Sequence, residues 1–333
     1  MSLKNEIKLK KRVALISLSI GVVMFLAKTG AFLITGSAAI FSDAAESVVH
    51  VLATSMVFYS IILSSKPADR SHLYGHGNIE YFSVGVEGIL IVFAAAFIIY
   101  TAAIDIIYGS VLKQLSIGVI IISFAGIINL LLGNYLIRMG GKTNSITLTA
   151  DGKHVLTDSY TSIGVIIGVI LVMITDFQLF DPLFAIAVAV NILFTGYKLV
   201  RGSIGNLMNE TDKKLLKLMT DELISMKKNY WIDIHWLRFW KSGDKVFIDF
   251  HLILPYYFTI HQAHLEDEEI ENALLKIIPN SQVKIHTDYC NPELCKICDY
   301  DICSVRVHQQ TSSVQWDLDK IIGEPLFKNF HIS

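Results

Sequence analysis

The chain has 333 residues, of which 53% are hydrophobic and only 17% charged, with a formal net charge of −2. A composition this apolar excludes an ordinary soluble domain of the same length and describes a polytopic membrane protein that partners a lipid bilayer. The slightly acidic balance also excludes nucleic acid as a partner.

Six apolar windows are long enough to cross about 30 Å of hydrocarbon as helices: residues 13–34, 38–63, 81–108, 115–137, 146–175 and 183–199. The basic start "MSLKNEIKLKKR" leads straight into the first window. With no small-residue cleavage site before "TGSAAI", it reads as an uncleaved helix rather than a signal peptide. Lys4, Lys8, Lys10, Lys11 and Arg12 precede the first window. Lys66 and Arg70 follow the second, Arg138 and Lys142 the fourth, and Lys198 and Arg201 end the sixth. The opposite connections, "TGS", "GSVLKQ" and "TDFQLFD", hold a single lysine. The positive-inside rule then puts both termini in the cytoplasm. The economy of the loops leads us to expect a multi-pass protein of a cell inner (plasma) membrane.

After Arg201 the pattern changes. "DKKLLKLMTDELISM" carries helical apolar spacing, and "WIDIHWLRFW" and "DKVFIDFHLIL" read as strands joined by a turn at "KSGD". "IHQAHLEDEEIENALLKII" is a second helix and "SQVKIHTD" a third strand. The expected organisation is a six-helix transmembrane domain over residues 1–204, a cytoplasmic α+β (αββαβ, ferredoxin-like) domain over 205–288, and a cysteine-rich extension over 289–333.

The second window contains "IFSDAAESVVHVLA". A carboxylate at mid-bilayer costs at least about 2.5 kcal/mol, so Asp43, Glu46 and His50 need a function or a partner. Glu46 and His50 are four apart and share one helical face, about 12–18 Å below the outer helix end. The fifth window supplies a matching pair, His154 and Asp158, in "TADGKHVLTDSY". Two such pairs facing each other offer two nitrogens and two oxygens, a tetrahedral set that suits Zn²⁺ and, less exclusively, Cd²⁺, Co²⁺ or Fe²⁺. Asp43 lies one turn outward of Glu46, placed to serve an outer vestibule or to pair with Lys28 of the first helix.

The paired helices, the loop "PADRSHLYGHGNIE" and the αββαβ pattern together resemble the cation diffusion facilitator family of metal exporters. The resemblance implies divalent metal efflux in exchange for protons by alternating access, a homodimer, and a transport site on helices two and five. His154 and Asp158 keep the family's usual pattern, whereas Glu46 and His50 stand where Asp/His and Asp are usual. It further implies a second metal position at Asp69, His72 and His76, and a two-metal cluster at a cytoplasmic dimer interface held by His235, His251, His264, His286 and Asp288. His261 falls outside that frame.

In "CNPELCKICDYDIC", Cys290, Cys295, Cys298 and Cys303 carry metal-ligand spacing. A cytosolic tail is reducing, which argues against disulfides. A structural Zn²⁺ is the first expectation, with an iron–sulfur cluster or delivery of metal to the transporter as alternatives. Two rival functions remain in view. One is a membrane metal sensor without transport. The other is an intramembrane metalloenzyme, for which neither an H-E-x-x-H motif nor a free carboxylate placed beside an open metal position is found.

Overall fold

The computed structural model describes residues 3–109 and 114–326. Lys113, the lone lysine of the opposite-side connections, and residues 327–333 of the expected extension lie outside the described residues. The chain divides into two compact units, one ending at Met208 and the other starting at Asn209. The first division in the sequence reading, after residue 204, falls inside a helix that runs on to Leu207.

The first unit holds six helices, each long and apolar enough to cross a membrane. They are α1 (Leu3–Thr35), α2 (Ala38–Ser64), α3 (Ile79–Tyr108), α4 (Leu115–Lys142), α5 (Ile146–Thr175) and α6 (Phe180–Leu207). The two helices that carry the polar pairs start on serine caps. The Ser37 hydroxyl accepts from the Ile40 N–H and the Ser145 hydroxyl from the Leu148 N–H, the usual way of satisfying first-turn donors. The start of α2 is also tied to α6. Asp181 accepts from the Ser37 hydroxyl, from the Ala38 N–H at 2.6 Å and from the Ala39 N–H at 3.3 Å. A carboxylate on the positive end of a helix is favourable, which is why Asp181 lies buried inside α6 rather than in the loop expected from "TDFQLFD".

Helix α5 is set deep against α4 by glycines. A Cβ on Gly133 would stand 2.9 Å from the Gly152 carbonyl oxygen, and one on Gly152 2.8 Å from the Ile137 nitrogen. Small residues that let backbones approach replace the missing hydrophobic driving force in lipid. Gly152 lies between Asp151 and Lys153, so this contact fixes the helix next to its buried polar residues.

The second unit comprises α7 (Lys213–Ser225), β1 (Asp233–Ser242), β2 (Lys245–Leu254), α8 (Ile260–Ile277), β3 (Ser281–Tyr289), a 3-10 turn (Pro292–Lys296) and α9 (Leu318–Ile322). The sheet order is β1-β2-β3, with β1 antiparallel and β3 parallel to β2. This is the αββαβ order read from the sequence. The expected separation of residues 289–333 as an extension differs from what the structure shows. The Cys290 N–H donates to the Leu254 carbonyl, continuing β3. Trp316 and Ile321 join Met219, Leu223, Phe250 and Ile270 in one hydrophobic core. The apolar residues of "VQWDLDKII" cannot form a core alone and complete the one beside them.

Candidate metal centres

Three groups of side chains bring ligand atoms within 4.8 Å of one another among the described residues. The first is buried between α2 and α5: Glu46, His154 and Asp158. His154 Nδ1 lies 3.3 Å from Asp158 Oδ1, and the Thr161 hydroxyl donates to Glu46 Oε2 at 3.2 Å. Three of the four residues expected to share one ion are thus together.

His50 is not in that group. Its Nε2 is 3.6 Å from Asp151 Oδ1, and its ring centroid is 6.0 Å from that of His154. Asp151 is fully buried and also accepts from the Ser17 hydroxyl at 2.9 Å and the Thr54 hydroxyl at 3.1 Å. The i,i+4 pattern placed His50 on the face of Glu46, but Asp151 one turn before His154 offers it a closer anion. Gly21 of α1 makes room, since a Cβ there would stand 3.3 Å from His50 Cε1. Asp43 pairs with Lys28, Nζ to Oδ2 3.0 Å, both buried, and accepts from the Ser162 hydroxyl at 2.8 Å.

Sequence reasoning missed two residues here, Asp151 and Glu87. Glu87 of α3 is buried with neither carboxylate oxygen hydrogen-bonded. Like Glu46, both are carboxylates inside apolar windows, a signal the sequence carries.

The second group is Asp69, His72 and His76 in the α2–α3 loop. The loop is folded around its carboxylate. Asp69 Oδ1 accepts from the Ser71 hydroxyl at 2.7 Å, the His72 N–H at 2.8 Å and the Ser71 N–H at 2.9 Å. The Ser71 hydroxyl, then the His72 and Ser71 amides, hold this carboxyl down at about 2. Its other oxygen lies 3.4 Å from His76 Nε2, and the two histidine rings stand 4.4 Å apart.

The third group is His235, His251 and Asp288. His235, His251 and His286 are register partners in one row across the three strands, with ring centroids 5.0 and 4.5 Å apart. His251 Nδ1 is 2.8 Å and His286 Nε2 3.3 Å from Asp288. His286 borders the group without entering it. His264 is outside the group as well, exposed on α8 and 3.5 Å from its i,i+4 neighbour Glu268.

The cysteines are free thiols, with Cys298 buried beside Leu294, Ile232 and Ile253. Burial pushes the Cys290 and Cys298 thiols up. The Arg306 guanidinium donates to the carbonyls of Cys295 and Cys298, both at 2.9 Å, and of Tyr300 at 3.1 Å. Among the described residues no three of the thiols reach the 4.8 Å spacing of the other groups.

Residues 14–208 match the family described as the cation efflux transmembrane domain, and residues 224–290 the cation efflux protein cytoplasmic domain. The chain belongs to the cation efflux family. This is the family its sequence resembles, and its members are transporters, not enzymes. An uncharacterized transporter of Synechocystis sp. is 34% identical over 282 residues, covering 84% of this chain and 91% of that protein. The cation-efflux pump FieF of Serratia proteamaculans is 28% identical over 287 residues, 85% of this chain and 94% of that protein. The magnetosome protein MamB of Paramagnetospirillum magneticum is 28% identical over 251 residues, 75% and 84%. As a family member with six spanning helices, the chain is an integral multi-pass membrane protein.

Proposed function

We propose that this protein exports a divalent transition metal, zinc first, from the cytoplasm in exchange for protons. The observation that carries the reading is the buried group of Glu46, His154 and Asp158 between two spanning helices. Buried ionisable side chains facing a bundle interior mark ion pathways. Imidazole nitrogen with carboxylate oxygen suits zinc, and also cadmium, cobalt or ferrous iron, better than manganese.

In this reading His50 is the fourth ligand and moves between Asp151 and the ion. Metal binds deprotonated ligands, so loading expels whatever protons they carry, and protons arriving from the far side compete the metal off. Coupling follows from that competition at one set of atoms. The basic residues flanking the helices support cytoplasmic termini in an inner membrane. Asp69, His72 and His76 serve as a loop site near the cytoplasmic mouth. The row His235, His251 and His286 with Asp288, joined by His264, forms the cytoplasmic metal site, with a homodimer expected from the domain match. Spacing supports a zinc held by Cys290, Cys295, Cys298 and Cys303, whose thiols close on the ion when it binds.

Reconstitution into proteoliposomes tests the reading. The protein should accumulate Zn²⁺ when a pH gradient is imposed and collapse that gradient in return. Accumulation of no divalent metal would leave a membrane sensor and remove the exporter.

A further inference from the structure

Asp233 is completely buried, and its two oxygens face different partners. Oδ1 lies 2.5 Å from Lys320 Nζ and Oδ2 3.1 Å from His235 Nδ1. Lys320 belongs to α9, well beyond residue 290, where the match to the cytoplasmic family domain ends. We propose that the segment 316–323 is a built-in buttress of the cytoplasmic metal site, with Lys320 as a positioning residue that holds Asp233 against His235. This rests on the reading of His235, His251 and Asp288 as metal ligands.

The segment is anchored at several points around that contact. Ile321 is fully buried and Trp316 nearly so, both in the domain core. Asp317 caps α9, its carboxylate accepting from the Lys320 N–H at 2.8 Å. The Lys320 ammonium also donates to the Ile234 carbonyl at 3.0 Å, so it is tied to both residues that precede His235 on β1. The strand itself is reshaped here. Its register with β2 shifts between His235 and Arg238, and Trp236 takes a left-handed φ of 55°. A bulky residue adopts that conformation only where its surroundings impose it. The Trp236 N–H donates to the Gly323 carbonyl at 3.0 Å, at the end of α9. The bulge thus takes one strand residue into a bond with the tail immediately after the proposed ligand.

The consequence for the histidine is orientation. Nδ1 meets Asp233 as a charge contact at 3.1 Å rather than a hydrogen bond, which leaves Nε2 for an ion, on a ring 5.0 Å from that of His251. Carboxylates behind metal-bound histidines fix ring orientation and basicity, and their loss weakens binding about 10–100-fold. A carboxylate as buried as Asp233 needs a cation to remain there, and Lys320 supplies it.

The test is Zn²⁺ titration of the full-length protein in detergent, with the phase lost in His251→Ala defining the cytoplasmic cluster. Lys320→Met should weaken that phase at least about tenfold, while Lys320→Arg keeps most of the affinity. The zinc-induced rise in Tm should shrink with it, and its recovery in Lys320→Arg is the readout that a merely structural role would not give. Asp233→Asn leaves no unpaired buried carboxylate, and the Lys320 ammonium, 11% exposed, keeps its bond to the Ile234 carbonyl; this variant should show the same loss. Unchanged affinity in both Asp233→Asn and Lys320→Met would overturn the buttress. If His251→Ala removes no binding phase at all, the metal-site reading falls instead, and the buttress with it.

Discussion

His50 Nε2 stands 3.6 Å from Asp151 Oδ1, so the i,i+4 pair on α2 is divided between two anions of α5. Glu46 lies with His154 and Asp158, while His50 lies with Asp151. If His50 must leave Asp151 to reach the ion, apparent affinity is reduced by the fraction of molecules in which it has done so.

Replacing Asp151 with asparagine should therefore tighten zinc binding at the membrane cluster, by up to roughly tenfold if His50 is free in about a tenth of molecules. Maximum flux should fall, because release is slowed. Zinc titration and proteoliposome flux on the same preparation check both halves. Weaker binding in Asp151→Asn would mean that Asp151 supports the ion rather than competing for His50.

The Lys28–Asp43 pair is buried within the helix bundle at 3.0 Å. Removing one member of such a pair leaves an uncompensated charge and costs about 3–5 kcal/mol. Lys28→Met should lower the unfolding temperature of the detergent-solubilised protein sharply. Combining it with Asp43→Asn should recover most of the loss. Equal stability of the single and double variants would show that the two side chains are not energetically coupled.

Much of this arrangement is legible in the sequence because membrane physics is local. Twenty apolar residues make a span, and a carboxylate inside one is conspicuous, as Glu46 and Asp158 are. What periodicity does not give is the partner across the helix interface. Asp151 precedes His154 by three residues and so shares its face, yet its place beside His50 depends on how α5 packs against α2. The cytoplasmic histidines were legible as strand residues, but their single row depends on the register of β2 with both neighbours. The packing of Trp316 and Ile321 into that domain had no local signal beyond a short apolar cluster.

The loop carboxyl of Asp69 is held down at about 2, chiefly by the Ser71 hydroxyl and the His72 amide. Its folded value lies below the ordinary 3.8, so its contribution is complete above about pH 4 and fades only as pH falls through about 2. Any loss of metal from the loop between pH 7 and 5 should then be set by groups other than Asp69. Asp69→Asn should weaken zinc binding there while leaving the midpoint of its pH profile unchanged. A shifted midpoint would place the controlling titration on Asp69 after all.

Selectivity offers a separate check on the fourth ligand. Exchanging an imidazole for a carboxylate favours harder, oxygen-preferring ions. His50→Asp should raise Mn²⁺ flux relative to Zn²⁺ flux. An unaltered ratio in competition assays would take His50 out of the coordination sphere.

On the proposed mechanism the ion passes through the group formed by Glu46, His154 and Asp158. Proteoliposome uptake of Zn²⁺ by Asp158→Asn, a variant of nearly the same shape without the carboxylate charge, tests it most directly. The pH-driven accumulation should disappear while the protein inserts and unfolds like the wild type. Accumulation at the wild-type rate would contradict the mechanism and move the transport site elsewhere in the bundle.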